Sequence, residues 1–87
     1  MSVTVELFGI PRHRAGVARV EVEGARLGDV LAELARRFPR LADDCIADRR
    51  LQLGYLANLN GQRFVTDAST VLAPGDALLI LSADAGG

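Results

Sequence analysis

Leu27-Gly28-Asp29-Val30-Leu31-Ala32-Glu33-Leu34-Ala35-Arg36-Arg37-Phe38-Pro39 is the stretch on which the fold turns. Leu27, Val30, Leu31, Leu34 and Phe38 recur at spacings of three, one, three and four, so they line one side of a helix. Asp29 in the first turn and Arg36 and Arg37 in the last complement the helix dipole. Pro39 ends the helix. Arg26 stands where Ser, Thr or Asp would cap the start, so the first turn is poorly capped. No other stretch is read as a helix, and this single helix must cover whatever sheet the flanking segments build.

Upstream, Val3, Val5 and Leu7 alternate with Thr4, Glu6 and Phe8, the period-two signature of a strand. Residues 9–16, with Gly9, Pro11, Arg12, His13, Arg14 and Gly16, interrupt it and read as a loop. Ala18, Val20 and Val22 then alternate with Arg19, Glu21 and Glu23 as a second strand, closing a hairpin with a long loop. Downstream, residues 40–50 read as a polar connector pinned by Leu41, Cys45 and Ile46. Leu53, Tyr55, Ala57 and Leu59 share a face of the next strand. Asn60-Gly61 predicts a tight hairpin turn leading into a return strand from Arg63 to Val65. Pro74-Gly75 predicts a type II turn, proline fixing φ and glycine supplying the positive φ. Ala77 to Leu81 is a short, nearly all-apolar strand. The order β-β-α-β-β-β fits no doubly wound or barrel pattern and predicts an α+β domain, a mixed sheet with one helix across its face.

The chain has 87 residues, enough for one small core. Ten basic and eleven acidic residues leave a net charge of −1, without the basic excess of a nucleic-acid or membrane binder. All ten basic residues are arginine. Without lysine the chain itself supplies no Schiff-base catalyst, lysine-borne biotin or lipoyl group, P-loop or lysine-linked chain. One cysteine, Cys45, excludes an internal disulfide and a cysteine-based zinc or iron–sulfur site. The amino-terminal sequence lacks the pattern of a signal peptide, and no apolar run approaches the roughly 20 residues that span a bilayer. The expectation is a cytoplasmic protein.

The element order, Asn60-Gly61, Asp67, Thr70-Val71-Leu72-Ala73-Pro74-Gly75-Asp76 and Gly86-Gly87 together resemble the MoaD/ThiS sulfur carriers, over essentially the whole length. Within that family the length and the connector are similar to the molybdopterin-synthase small subunit. The cysteine-biosynthesis carriers of actinobacteria fit as well, through Leu27-Gly28-Asp29-Val30 and Pro11-Arg12-His13. The resemblance implies a ubiquitin-like β-grasp domain over residues 1–82 and a flexible tail over residues 83–87. It implies a carrier rather than an enzyme, countable at most as the small subunit of a sulfur transferase. A ubiquitin-activating-type partner would use ATP and Mg²⁺ to adenylate the Gly87 carboxylate, and a sulfur donor would convert it to a thiocarboxylate. An acceptor sulfur transferase would then consume the sulfur. No cofactor or metal would be held by the carrier itself.

The residues suit that chemistry. An α-carboxylate has an ordinary pKa of about 3.5 and is ionised at neutral pH, ready to attack an α-phosphate. Gly86-Gly87 lacks Cβ atoms and can thread a narrow channel, and residues 83–87 extend at most about 18 Å. A frayed end of small residues would look the same at this stage. On the last strand, Leu78 and Ile80 are assigned inward by the family pattern, leaving Leu79 and Leu81 as an exposed partner-binding patch beside the tail. Burial of both faces, for instance in a homodimer, is the alternative. Asp84 departs from the apolar or proline-containing tails of the family. Within the tail Asp84-Ala85-Gly86-Gly87 it signals either a dedicated partner with a basic group near Asp84, or neutral drift.

Other chemical candidates have plainer explanations. His13 between Arg12 and Arg14 could meet an anion, but fits a solvated loop. Cys45 could relay sulfur as a persulfide, yet a neighbouring Asp44 and Ile46 raise a thiol pKa and favour a half-buried structural role. Asp43, Asp44 and Asp48 lack the spacing of a calcium loop. Ser69 after Asp67 faintly resembles an acyl-carrier attachment serine, but acyl carriers are helical bundles. Arg36, Arg37 and Arg40, with Arg49 and Arg50, could form a basic face or simply solvate helix and loop ends. The remaining rivals are a ubiquitin-like modifier conjugated through the same terminal glycine, and an interaction module with an inert tail.

Overall fold

The computed structural model describes residues 2–86, with side chains through Asp84. Alternation builds the sheet as expected. β1 (Ser2–Leu7) pairs antiparallel with β2 (Arg19–Glu23), Val5 opposite Val20, and parallel with β7 (Ala77–Ser82), Val5 opposite Leu78. β5 (Tyr55–Leu59) lies antiparallel on the other side of β7, and β6 (Arg63–Val65) closes the far edge. The order is β2-β1-β7-β5-β6, which puts the last strand at the centre of a mixed five-stranded sheet.

α2 (Leu27–Arg37) crosses one face, burying Leu27, Val30, Leu31 and Leu34 against Val3, Val5, Val22, Ala57, Leu78 and Ile80. Its uncapped start is real: Arg26 makes no side-chain cap. The orphan amides are satisfied from elsewhere in the fold, Leu27 N–H donating to Thr70 C=O at 2.9 Å and Gly28 N–H to Ala68 C=O at 2.9 Å. Arg26 helps hold that loop, its guanidinium donating to Ser69 C=O at 2.9 Å.

Both predicted turns form. Asn60 (φ 56°) and Gly61 (φ 69°) take positive φ with Gln62 N–H donating to Leu59 C=O, and Gly75 (φ 85°) follows Pro74 with Asp76 N–H donating to Ala73 C=O.

The one-helix reading needs correction in two places. The supposed loop 9–16 contains α1 (Ile10–Ala15), and the connector contains α3 (Pro39–Cys45). Pro11 at the start of α1 and Pro39 at the start of α3 initiate these helices, because proline suits a first turn whose N–H would be unpaired. After α3 a small separate hairpin follows, β3 (Ile46–Ala47) with β4 (Arg50–Leu51). Gln52 secures it, its amide reaching Asp43 C=O (3.3 Å) and Ile46 C=O (3.2 Å). Leu53 is not part of the following strand; it stands fully exposed before β5.

Candidate functional site

Period-two alternation along β7 separates two surfaces. Leu78 and Ile80 are completely buried under α2, while Leu79 is 36 % exposed and Leu81 partly exposed on the open face. Strand register extends this face sideways. Leu79 lies between Glu6 on β1 and Asn58 on β5, and Asn58 is opposite Phe64 on β6. One row nearer the tail, Leu81 faces Leu56. Phe8 joins on the other side, its N–H donating to Ile80 C=O at 3.0 Å. Phe8 (53 % exposed) and Phe64 (57 %) are the most open members of this apolar surface.

Of these residues, sequence reasoning picked Leu79 and Leu81 and passed over Phe8, Leu56 and Phe64. The signal was available for Phe8, which continues the outward alternation of Thr4 and Glu6. Leu56 was hidden because its neighbours Ala57 and Leu59 define the buried face of β5. Phe64 could not be placed without knowing which strand lies beside β6.

β7 ends at Ser82, and residues Ala83–Gly86 close a 3₁₀ turn rooted by Ala83 N–H donating to Gly54 C=O at 2.7 Å. Asp84 is exposed. The Gly87 carboxylate and the Ala85 side chain lie outside the described residues. On the helix side of the root, an apolar groove of about 330 Å³ opens between Leu31, Leu51, Gly54, Tyr55 and Val65.

The side chains considered for chemistry are occupied otherwise. Cys45 is wholly buried rather than half-buried. Burial pushes its thiol pKa up, more than a hydrogen bond with Tyr55 offsets, so the nucleophilic thiolate is disfavoured. His13 is exposed on α1, and the adjacent Arg14 ties α1 to α3 through Asp44 at 2.8 Å. Asp67 accepts the Ser69 N–H and hydroxyl, each at 2.8 Å, so this serine is a turn residue. Among the described residues no three His, Cys, Asp or Glu side chains gather into a metal site, and no helix is long and apolar enough to cross a membrane.

One helix across a mixed five-stranded sheet, whose central last strand leads directly into a small-residue tail, defines a ubiquitin-like β-grasp protein. The chain belongs to the ThiS family, whose model matches residues 5–87. It is 32 % identical to the molybdopterin synthase sulfur carrier subunit of Mycobacterium tuberculosis, over all of this chain and 99 % of that protein. Its structure resembles SAMP1 from Haloferax volcanii, with 26 % identity, a TM-score of 0.81 and complete coverage of both chains. It also resembles a chain in the BexX/CysO complex of Amycolatopsis orientalis, with 26 % identity, a TM-score of 0.80 and coverage of 98 % of this chain and 99 % of that one.

Proposed function

We propose that this protein is a sulfur carrier whose reactive group is the carboxylate of Gly87. The observation that carries the reading is the family match continuing through residue 87 on a fold whose central strand feeds the tail. The relative named a sulfur carrier subunit supports it over nearly its whole length. In the proposed cycle a partner of the ubiquitin-activating type binds ATP and Mg²⁺. A Gly87 carboxylate oxygen attacks the α-phosphate, pyrophosphate leaves, and the resulting acyl-adenylate is electrophilic at carbon. Hydrosulfide released by a sulfur donor then displaces AMP, forming the C–S bond as the acyl–phosphate C–O bond breaks and losing its proton, which leaves a thiocarboxylate for an acceptor enzyme.

The carrier supplies binding and reach, and the chemistry belongs to its partners. The surface formed by Phe8, Leu56, Phe64, Leu79 and Leu81 gives those partners an apolar platform beside the tail. Asp84 at its edge would meet a basic group. A single buried thiol fits a reducing, cytoplasmic setting.

A second reading, a modifier conjugated through Gly87 to other proteins, draws on the likeness to an archaeal protein named a small archaeal modifier. Intact mass spectrometry of protein isolated from its own cells separates the two. A carrier gains the mass difference between one sulfur and one oxygen, in a form trapped by alkylation; a modifier is found linked to lysines of other proteins. Delivery of sulfur by a protein extended beyond Gly87 would overturn the proposed mechanism.

A further inference from the structure

The tip of the β5–β6 hairpin, Asn60-Gly61, places a carboxamide directly before a peptide nitrogen that no side chain screens. Both residues are exposed, and a Cβ added at Gly61 would meet nothing within 4 Å, so the nitrogen is open to solvent-borne base. Gly61 N–H donates no hydrogen bond among the described residues. Such a pair is chemically labile in water. Hydroxide removes the Gly61 N–H proton and the nitrogen attacks Asn60 Cγ, the new N–C bond forming as the Cγ–Nδ2 bond breaks. Nδ2 leaves as ammonia by taking a proton from water, which regenerates hydroxide. Water then opens either carbonyl of the cyclic imide, leaving an aspartyl or isoaspartyl link where Asn60 stood.

The fold opposes that reaction with a tether. Asn60 Nδ2 donates to Asp76 Oδ1 at 3.0 Å, and Asn60 Oδ1 accepts Ala77 N–H at 2.8 Å, so the carboxamide is held across the turn against the start of β7. The Ala77 N–H polarises the carbonyl and by itself would quicken attack. Geometry outweighs it, because turning Cγ toward Gly61 N breaks both bonds, and the Asp76 charge repels the nitrogen anion as well. We propose that Asn60 is a site of spontaneous deamidation gated by Asp76, slow while the carboxamide is held against β7 and fast once that hold is lost. Two hydrogen bonds, one to a charged group, slow the reaction on the order of a hundredfold. The modification reinforces itself. The product carboxylate has no N–H to give Asp76 and faces it with like charge, and an isoaspartyl link adds a methylene to a turn closed by Gln62 N–H on Leu59 C=O. Ala77 lies at the opposite end of β7 from the tail, so the damage falls on stability and spares the carboxyl terminus.

The test is covalent and needs no partner. The folded chain, its Asp76→Ala and Asp76→Asn variants, and a synthetic peptide of residues 51–63 are held in the same mildly alkaline buffer. Trypsin cuts after Arg50 and Arg63, so fragment 51–63 of each protein is compared directly with the peptide by mass spectrometry. Asn58, followed by Leu59, is the internal control in the same fragment. The expected result is conversion of Asn60 in the wild type at least roughly tenfold slower than in the peptide, and in Asp76→Ala at least roughly tenfold faster than in the wild type. Circular dichroism checks that the variants are folded. Should Asp76→Ala unfold, Asp76→Asn decides: its side-chain oxygen still accepts without charge, and an intermediate rate is expected. Wild-type conversion as fast as the peptide's, a folded Asp76 variant no faster than the wild type, or a peptide that stays intact overturns the proposal.

Discussion

A Cβ added at Gly24 would stand 2.7 Å from Val30 Cγ2, closer than carbon tolerates, and 3.1 Å from Val30 N, a tight contact. Val30 is β-branched, fully buried and part of α2, so it cannot swing aside. Gly24→Ala is therefore expected to destabilise the fold by about 1–3 kcal/mol, read as a lower urea midpoint with an unchanged slope. Asp76 carries a different role. Ala73 N–H (2.9 Å) and then the Asn60 amide hold its carboxyl below the ordinary carboxylate range. Its folded pKa is thus lower than its unfolded one. The stabilisation is fully present above a pH of about 4 and disappears as pH falls through the depressed value. Asp76→Ala should lower the melting temperature at pH 7, and the gap from wild type should close toward pH 2. At Cys45 the raised thiol pKa and full burial predict negligible iodoacetamide labelling of the native protein at pH 7.5, with rapid labelling in denaturant. The direction of that shift is legible from Asp44 and Ile46, but the depth of burial is not, because the polar composition of residues 40–50 shows no helical stripe where α3 forms.

Elements were legible in proportion to their periodicity. α2 buries four apolar side chains at helical spacing over eleven residues, and its boundaries match the sequence reading. Leu34→Ala on that buried stripe should cost about 2–5 kcal/mol, measurable by chemical denaturation. α1 has six residues and buries one of them, Pro11; α3 has seven and buries Leu41 and Cys45. Neither is long enough to display a stripe, and neither is stable as an isolated helix. They are helical because tertiary contacts hold them, α1 to α3 through Arg14 and Asp44. The start of α2 teaches the same lesson: what replaces its missing cap is the 68–70 backbone, about forty residues away in sequence.

At the scale of the molecule, the proposed function has β7 give one face to stability and the other to recognition. Leu79→Glu should therefore shift the melting temperature by less than about 4 °C while lowering kcat/KM with the activating enzyme at least tenfold. A large loss of stability without loss of adenylation would reverse that division. The strand order explains how much of this surface the sequence could reveal. Leu79 and Leu81 are neighbours on one strand and were visible together. Leu56 and Phe64 come from two other strands and Phe8 from the residue just past β1, and only the register β1-β7-β5-β6 gathers them.

The parallel pairing of β1 with β7 also gives the domain a mechanical character. Thr4 through Leu7 run alongside Ala77 through Ile80 in the same direction. Tension between the start of β1 and the end of β7 would therefore load the whole ladder at once in shear, instead of peeling it open one bond after another. A tail gripped and drawn into a deep pocket can be pulled firmly while the domain behind it stays folded.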